Sequence, residues 1–370
     1  MGSRIDGPRA CRPEERSELL ALANLVFRVS RGRAPSIERD YPHIYRTENL
    51  DNVRVIRVDG GLRASVGTLP MRIATGGAVL DTVGVNCTTT HPDWRKRGFG
   101  GLLMRDIEAR ARAAGRDLVH LDAGVPEWYR RFGFEDGGCL LSYELNRGNV
   151  GLLPDPRGLE IRTGLDRYAP DLHRIHTADG AGTVRREEDV PVIVGRTSPE
   201  LFVAERRGRV VAYAVVQPVS RLVKEHGGQP ELVAALLRAV YALVDAVNEG
   251  RSTTERDDQE RVDLTSELQV EVIPQQTGLV ALLDRIGIPV TRAPWHMLQL
   301  IDPAEILRKL GLNDVTVRTR GDRFVLSGPD GEEVLSRRML VKALFGPERV
   351  TAVAGDRLPV LLSTPSTDHV

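Results

Sequence analysis

The spacing of hydrophobic positions changes repeatedly along the chain, and each change marks an element. In residues 13–28, PEERSELLALANLVFR, the residues Leu19, Leu22, Ala23 and Val26 recur at i, i+3, i+4 and i+7. That period predicts a helix buried along one face, with Pro13 and two glutamates suited to its start. The run NVRVIRVDGGLRASVGTLPMRI predicts a hairpin turning at Asp59-Gly60-Gly61. AVLDTVGVNCTTT reads as a strand bounded by Pro92. Beyond it Leu103, Ile107, Ala111 and Ala114 line one side of a helix that Gly115 can stop. DLVHLDAG, PEWYRRFG and CLLSYEL predict a strand, a short helix and a final strand.

The same order then repeats with little identity. LEIRTG opens it, LFVAERRGRVVAYAVVQ is a hairpin, and PELVAALLRAVYALVDAV is a helix. NEGRSTTERDDQERVD is polar and predicts an exposed loop. ELQVEVIP, QQTGLVALLDRIG and PWHMLQLI follow as strand, helix and strand. In the tail PAEILRKLG is helical, and VTVRT and RFVLSG are strands around Arg320-Gly321-Asp322. The expected class is α/β, in the α+β sense. The expected domains are 1–150, 151–301 and a small α+β tail, 302–370, too small to fold well alone.

Composition narrows the choices. A chain of 370 residues has room for two or three domains of roughly 100–200 residues. Lys plus Arg and Asp plus Glu both number 51, so no net charge points to nucleic acid as a main partner. The only lysines are Lys96, Lys224, Lys309 and Lys342, a bias first of genome composition. Cys11, Cys87 and Cys139 lie far apart without CxxC spacing, which leaves no zinc ribbon or redox pair; Cys87 and Cys139 read as buried, inert thiols. His173 and His176 sit at i, i+3, but nothing nearby completes a metal site, so a surface helix and no metal are expected. Neither an N-terminal apolar leader nor a spanning run is visible, so a cytoplasmic protein away from the membrane is expected.

The candidate chemistry sits in THPDWRKRGFGGLLMRD, residues 90–106. Arg95, Lys96 and Arg97 precede Gly98, Gly100 and Gly101, and a helix follows at once. A helix start exposes unpaired amides that, with the helix dipole, attract anions. Glycines let a phosphate approach the backbone, and arginine adds forked donors. A pyrophosphate fits such a site. The P-loop pattern is absent, and Gly98-Phe99-Gly100-Gly101 has the wrong spacing for GxGxxG.

What remains is Arg95-x-x-Gly98-x-Gly100 after a strand, with WYRRFGFED about 30 residues on. These two stretches resemble the GCN5-related N-acetyltransferases. The tandem units and small tail resemble the enhanced intracellular survival (Eis-type) acetyltransferases, most strongly over residues 40–150. The resemblance implies tandem acetyltransferase folds, each a mixed, mostly antiparallel sheet flanked by helices, with a sterol-carrier-like tail. It implies acetyl-CoA as co-substrate and direct transfer to a primary amine: an aminoglycoside, a polyamine or a lysine side chain. Thr88, Thr89 and Thr90 would pair with the pantetheine amides. Arg95, Lys96, Arg97, Gly98, Phe99, Gly100 and Gly101 would wrap the diphosphate. Gly124 and Val125 would lie near the thioester. Tyr129 would protonate the departing thiolate, and the terminal carboxylate, Val370, would help take a proton from the amine, with Asp122 and Glu127 as stand-ins. Relatives of this type form homo-oligomers, hexamers among them.

Other readings stay open at this stage. The second unit carries VKEHGGQPELVAALL where the loop should be; Glu225 and Pro230 oppose an anion, so it is expected to bind no coenzyme. Trp94 suits either adenine stacking or a surface position. Tyr41, His43 and Tyr45 either line the acceptor pocket or anchor a loop. Asp40, Glu48 and Asp51 offer acidic walls for a cationic acceptor. The rival function is a non-catalytic acyl-CoA sensor or a lipid-binding protein.

Overall fold

The computed structural model describes residues 4–196, 199–217, 219–251 and 267–368. They divide into two compact units that do not follow chain order. One joins the residues up to Gly138 with Pro294–Leu362; the other joins Cys139–Ala293 with a last stretch from Ser363.

In the first unit the strands lie in the order Ile5–Ala10, Arg54–Val58, Gly61–Thr75, Ala78–Thr90, Leu118–Leu121, His296–Leu300 and Glu135–Gly137. The expected hairpin extends into a meander, because Gly76 and Gly77, both at positive φ, make a second turn before Ala78. One pair alone on this path is parallel: Thr82 faces Leu118 and Val85 faces Leu121, and there the pairing stops. A parallel pair needs a crossover, supplied by the helix Phe99–Ala113 (the loop helix). Its Leu103, Met104, Ile107 and Ala111 are buried with Ile56, Val66, Val83 and Leu121. Ala114, expected on that face, is instead the C-cap, and Gly115 turns left-handed at φ 61° to end the helix.

Beyond Val85 the long strand runs on to Thr90, paired only with Gly61–Thr75 among the described residues. A bulge opposite Val66, where Cys87 takes φ 44°, bends this stretch away from its former neighbour. The sheet therefore opens into a cleft after Val85.

The tail adds a three-stranded meander, Thr316–Arg320, Arg323–Gly328 and Gly331–Ser336, with the helices Pro303–Lys309 and Arg337–Phe345. Its Leu307, Leu326, Leu344 and Phe345 share one core with Ile73, Leu80, Leu118 and Leu298 of the large sheet. Too small to enclose a core of its own, it is completed by the sheet.

The second unit repeats the plan: Val290–Ala293, Leu140–Leu145, Leu268–Val272, Leu222–Gly228, Arg209–Gln217, Glu200–Arg206 and Glu160–Thr163. Again one pair is parallel, Leu222–Gly228 with Leu268–Val272, and again a helix, Pro230–Arg251, crosses over. That helix takes in residues 248–251 of the stretch expected as a loop; residues 252–263 lie outside the described residues. His176, expected on a helix surface, turns inward, its Nε2 at 2.7 Å from the Thr183 carbonyl.

The two units cut the chain elsewhere than the expected limits at 150 and 301, for a specific reason. The strand of CLLSYEL buries Leu141, Tyr143 and Leu145 in the core of the second sheet. The strand of PWHMLQLI completes the first sheet, between Leu118–Leu121 and Glu135–Gly137.

Candidate functional site

The loop helix begins where its sequence demands. Gly98 is the N-cap at φ 84°, a conformation that glycine adopts without strain. Leu102 donates the first helical hydrogen bond, to the Gly98 carbonyl at 3.1 Å, so the amides of Phe99, Gly100 and Gly101 precede the ladder. A Cβ on Gly100 would stand 2.9 Å from the Trp128 ring. Glycine here lets the indole close against the first turn. Arg95, Lys96, Arg97 and Gly98 are exposed. Trp94 lies beneath two guanidinium groups, Arg97 at 4.3 Å and Arg63 at 5.0 Å from its ring centroid.

These residues wall a cavity of about 890 Å³, within the usual range for ligand sites. It gathers most of the expected residues. From the loop come Arg95, Lys96, Arg97, Gly98, Phe99, Gly100 and Gly101; from the open strand edge, Thr88 and Thr90; from the far wall, Val125 and Tyr129. Three expected residues stand apart. The Thr89 side chain faces the other way, its Oγ1 at 2.5 Å from Ser65 Oγ and donating to the Ser65 carbonyl at 3.1 Å, which leaves only its backbone on the edge. Gly124 adjoins the lining without joining it. Val370 lies outside the described residues.

Tyr129 sits on the short helix Pro126–Arg130, started by its proline, with its ring edge-on to Trp128 at 4.8 Å and to Phe134 at 6.0 Å. Burial pushes the phenol above its ordinary value of 10, against the pull of the Thr88 hydroxyl beside it; Cys87 and Asp122 push the same way as burial. The phenol thus holds its proton throughout the neutral range. The neighbouring Cys87 thiol is pushed up by burial to about 11, as an inert thiol should be.

The acidic groups divide. Glu127 is ion-paired to Arg130, whereas Asp122 is exposed. Asp40 does not offer a free charge to an acceptor: Arg28 reaches it at 2.8 Å and Ser36 at 2.5 Å. Burial raises its pKa, but these partners win and hold it below the usual value. Glu48 and Asp51 are exposed. His43 and Tyr45 are buried and anchor their segment. Sequence reasoning missed Arg105, Trp128, Arg131 and Phe132, all of which line the cavity. Arg105 was recoverable from helical spacing, four residues after Gly101; Trp128, Arg131 and Phe132 stand in WYRRFGFED, the stretch that carries the resemblance, which does not say which of its side chains face the cavity.

The second unit opens a matching cleft, because its parallel pairing ends at Val223 with Val270. Here the chain fills it. Arg185 makes a two-point bond to Glu225 at 2.8 Å and reaches Asp368 at 2.7 Å, while Thr367 bonds Glu225. Burial raises the Glu225 pKa, yet Arg185 and His176 overcome it and hold the carboxyl well below its usual range. On the opposite strand Glu271 faces Ser366, whose hydroxyl tempers a rise due to burial. Ser363, Thr364, Ser366, Thr367 and Asp368 are all buried. Glu225, expected to repel an anion, instead anchors the last described segment of the chain.

Comparison with known proteins places this geometry. The family model for the acetyltransferase (GNAT) domain matches residues 8–137. No curated protein matches the chain by sequence. Among solved structures, Eis1 from Mycobacterium abscessus is similar at TM-score 0.60 and 14% identity, over 98% of each chain. A GCN5-related N-acetyltransferase from Kribbella flavida is similar at TM-score 0.59 and 16% identity, over 90% of this chain and 83% of that one. One from Anabaena variabilis gives 0.59 and 13%, over 90% and 85%. At such identity these likenesses speak to the fold, which is the GNAT-type tandem fold seen in Eis1. The family match gives residues 8–137 the sequence pattern of the GNAT acetyltransferase domain, and the likenesses give the chain an Eis-like tandem fold.

Proposed function

We propose that the chain is an acetyl-CoA-dependent N-acetyltransferase that transfers acetyl directly to a primary amine. The observation that carries this reading is the meeting, in one cavity, of the open edge at Thr88 and Thr90, the unladdered amides after Gly98, and the protonated phenol of Tyr129. The cavity residues suit the coenzyme. Its diphosphate takes the amides and the Arg95–Arg97 cations, and its pantetheine amides take the strand edge as an added strand would. The thioester supplies an activated acyl group beside Gly124 and Val125. Tyr129 holds a proton at its Oη for the departing sulfur. The terminal carboxylate, Val370, receives a proton from the amine in this reading. Asp122, exposed and electrostatically coupled to Tyr129, is the alternative base.

The acceptor in this reading is an aminoglycoside, a polyamine or a lysine side chain. The enzyme works as a cytoplasmic homo-oligomer, with 302–370 as a sterol-carrier-like part and without metal, nucleic acid or membrane partners. Among the described residues no helix is long and apolar enough to cross a membrane. Thiol release from acetyl-CoA with each amine class, for wild type and Tyr129→Phe, tests the proposal. Wild type should release thiol with at least one class. The variant should lose about 100-fold in kcat at unchanged KM for acetyl-CoA. Tight coenzyme binding without release from any amine would identify a sensor instead.

A further inference from the structure

The cavity holds more positive charge than a diphosphate requires. Arg95, Lys96, Arg97, Arg105 and Arg131 all line it, and no carboxylate does. The first three belong to the loop that precedes the helix. Arg105, on the loop helix, and Arg131, just after the helix that carries Tyr129, line the same cavity from outside that loop. The Nη1 of Arg105 lies 3.6 Å from where a Cβ on Gly101 would stand, so the guanidinium folds back along the helix toward its first turn. Phe132, the neighbour of Arg131, touches the same point at 3.5 Å. Both arginines are exposed, and neither makes an ion pair among the described residues. This is unusual in a chain whose arginines are so often matched to acids: Arg130, immediately before Arg131, engages Glu127, Glu135 and Asp136.

Unmatched guanidinium groups facing a cavity repel one another until an anion arrives. The pair fits a phosphomonoester, which carries about −1.5 to −2 charge at neutral pH and presents three strong acceptors. Guanidinium forks match that geometry. We propose that Arg105 and Arg131 form a subsite for a third phosphate, the 3′-phosphate on the ribose of the coenzyme. Resting on the acetyl-CoA reading above, this assigns to the two arginines a selectivity for CoA over carriers that end in an unphosphorylated ribose.

The test needs no acceptor. Trp94 and Trp128 line the cavity, so quenching of tryptophan fluorescence on the full chain reports binding. CoA and 3′-dephospho-CoA are titrated into wild type and into Arg105→Gln/Arg131→Gln, which removes both charges and keeps polar side chains of moderate length. Wild type should bind CoA about tenfold tighter or more than dephospho-CoA, the scale of one charge-assisted contact. The double variant should bring CoA down to the level of dephospho-CoA and leave the latter's affinity unchanged. Equal affinities in wild type, or equal weakening of both ligands in the variant, would overturn the subsite while leaving the coenzyme reading intact. Failure of wild type to bind either ligand would overturn the coenzyme reading and the subsite together.

Discussion

Gly98 and Gly100 serve the loop for different reasons, and substitution should separate them. Space is open around Gly98, but its left-handed φ strains any other residue. Gly98→Ala should therefore cost about 1–2 kcal/mol, read by urea unfolding. Gly100 has ordinary backbone angles and no room, with Trp128 at 2.9 Å from a Cβ. Gly100→Ala should push the indole off the first turn and raise the Kd for CoA about tenfold with a smaller loss of stability, measured by fluorescence titration and unfolding of the same sample. An unchanged Kd would remove Trp128 from the wall of the site. At this scale much of the candidate cavity's lining was legible. The cation–glycine run and the tyrosine announce themselves because their chemistry is local. Asp40 misleads, because its charge is cancelled by Arg28, a residue of another segment. WYRRFGFED flags the stretch of Arg131 and Phe132, but which of its side chains turn to the cavity is decided by folding and leaves no periodic trace.

Among elements, Lys309 shows how the tail is pinned. Its ammonium bridges Asp117 at 2.7 Å and Asp81 at 2.8 Å, joining the helix Pro303–Lys309 to the large sheet. Asp117 is fully buried, and burial raises its pKa against the pull of Lys309 and the Asp81 amide. Lys309→Met strands that carboxylate, at a cost of about 3–5 kcal/mol near neutral pH. The pH dependence has a definite sign. A carboxyl whose folded pKa lies above its unfolded one burdens the fold at high pH and relieves it on protonation. The melting deficit of Lys309→Met should therefore shrink from about pH 8 to about pH 5; a constant deficit would mean that Asp117 does not depend on Lys309. Elements themselves were readable from period, as the loop helix and both hairpins show. Their partners were not. CLLSYEL and PWHMLQLI have the signature of strands, but alternation says which face is buried, not which sheet accepts the strand.

For the molecule as a whole, the contrast between the two clefts is the main fact. One is open and cationic; its counterpart is closed by Arg185, Glu225 and Asp368. Arg185→Met should remove about 3–5 kcal/mol by leaving Asp368 buried without its counter-charge and Glu225 with His176 alone, seen as a lower denaturation midpoint by urea. CoA affinity should hold, since the loop of the first unit is untouched; a parallel loss of binding would show that the coenzyme depends on this ion cluster. The repeated order of elements was visible in the sequence as architecture. The filling of the second cleft was not, because its plug comes from residues more than a hundred positions away.

The exchange of Leu140–Leu145 and His296–Leu300 between the sheets bears on how the protein is made. As the chain leaves the ribosome, the residues that carry the loop and Tyr129 emerge early, yet their sheet is missing a strand between Leu118–Leu121 and Glu135–Gly137 until residue 300 has been added. Throughout that interval Leu118–Leu121 presents a bare edge, the feature of a half-built sheet that most invites association with other chains. Translation through the whole second unit must finish before the first sheet can close, so pauses in residues 139–293 would lengthen the time during which that edge stays open.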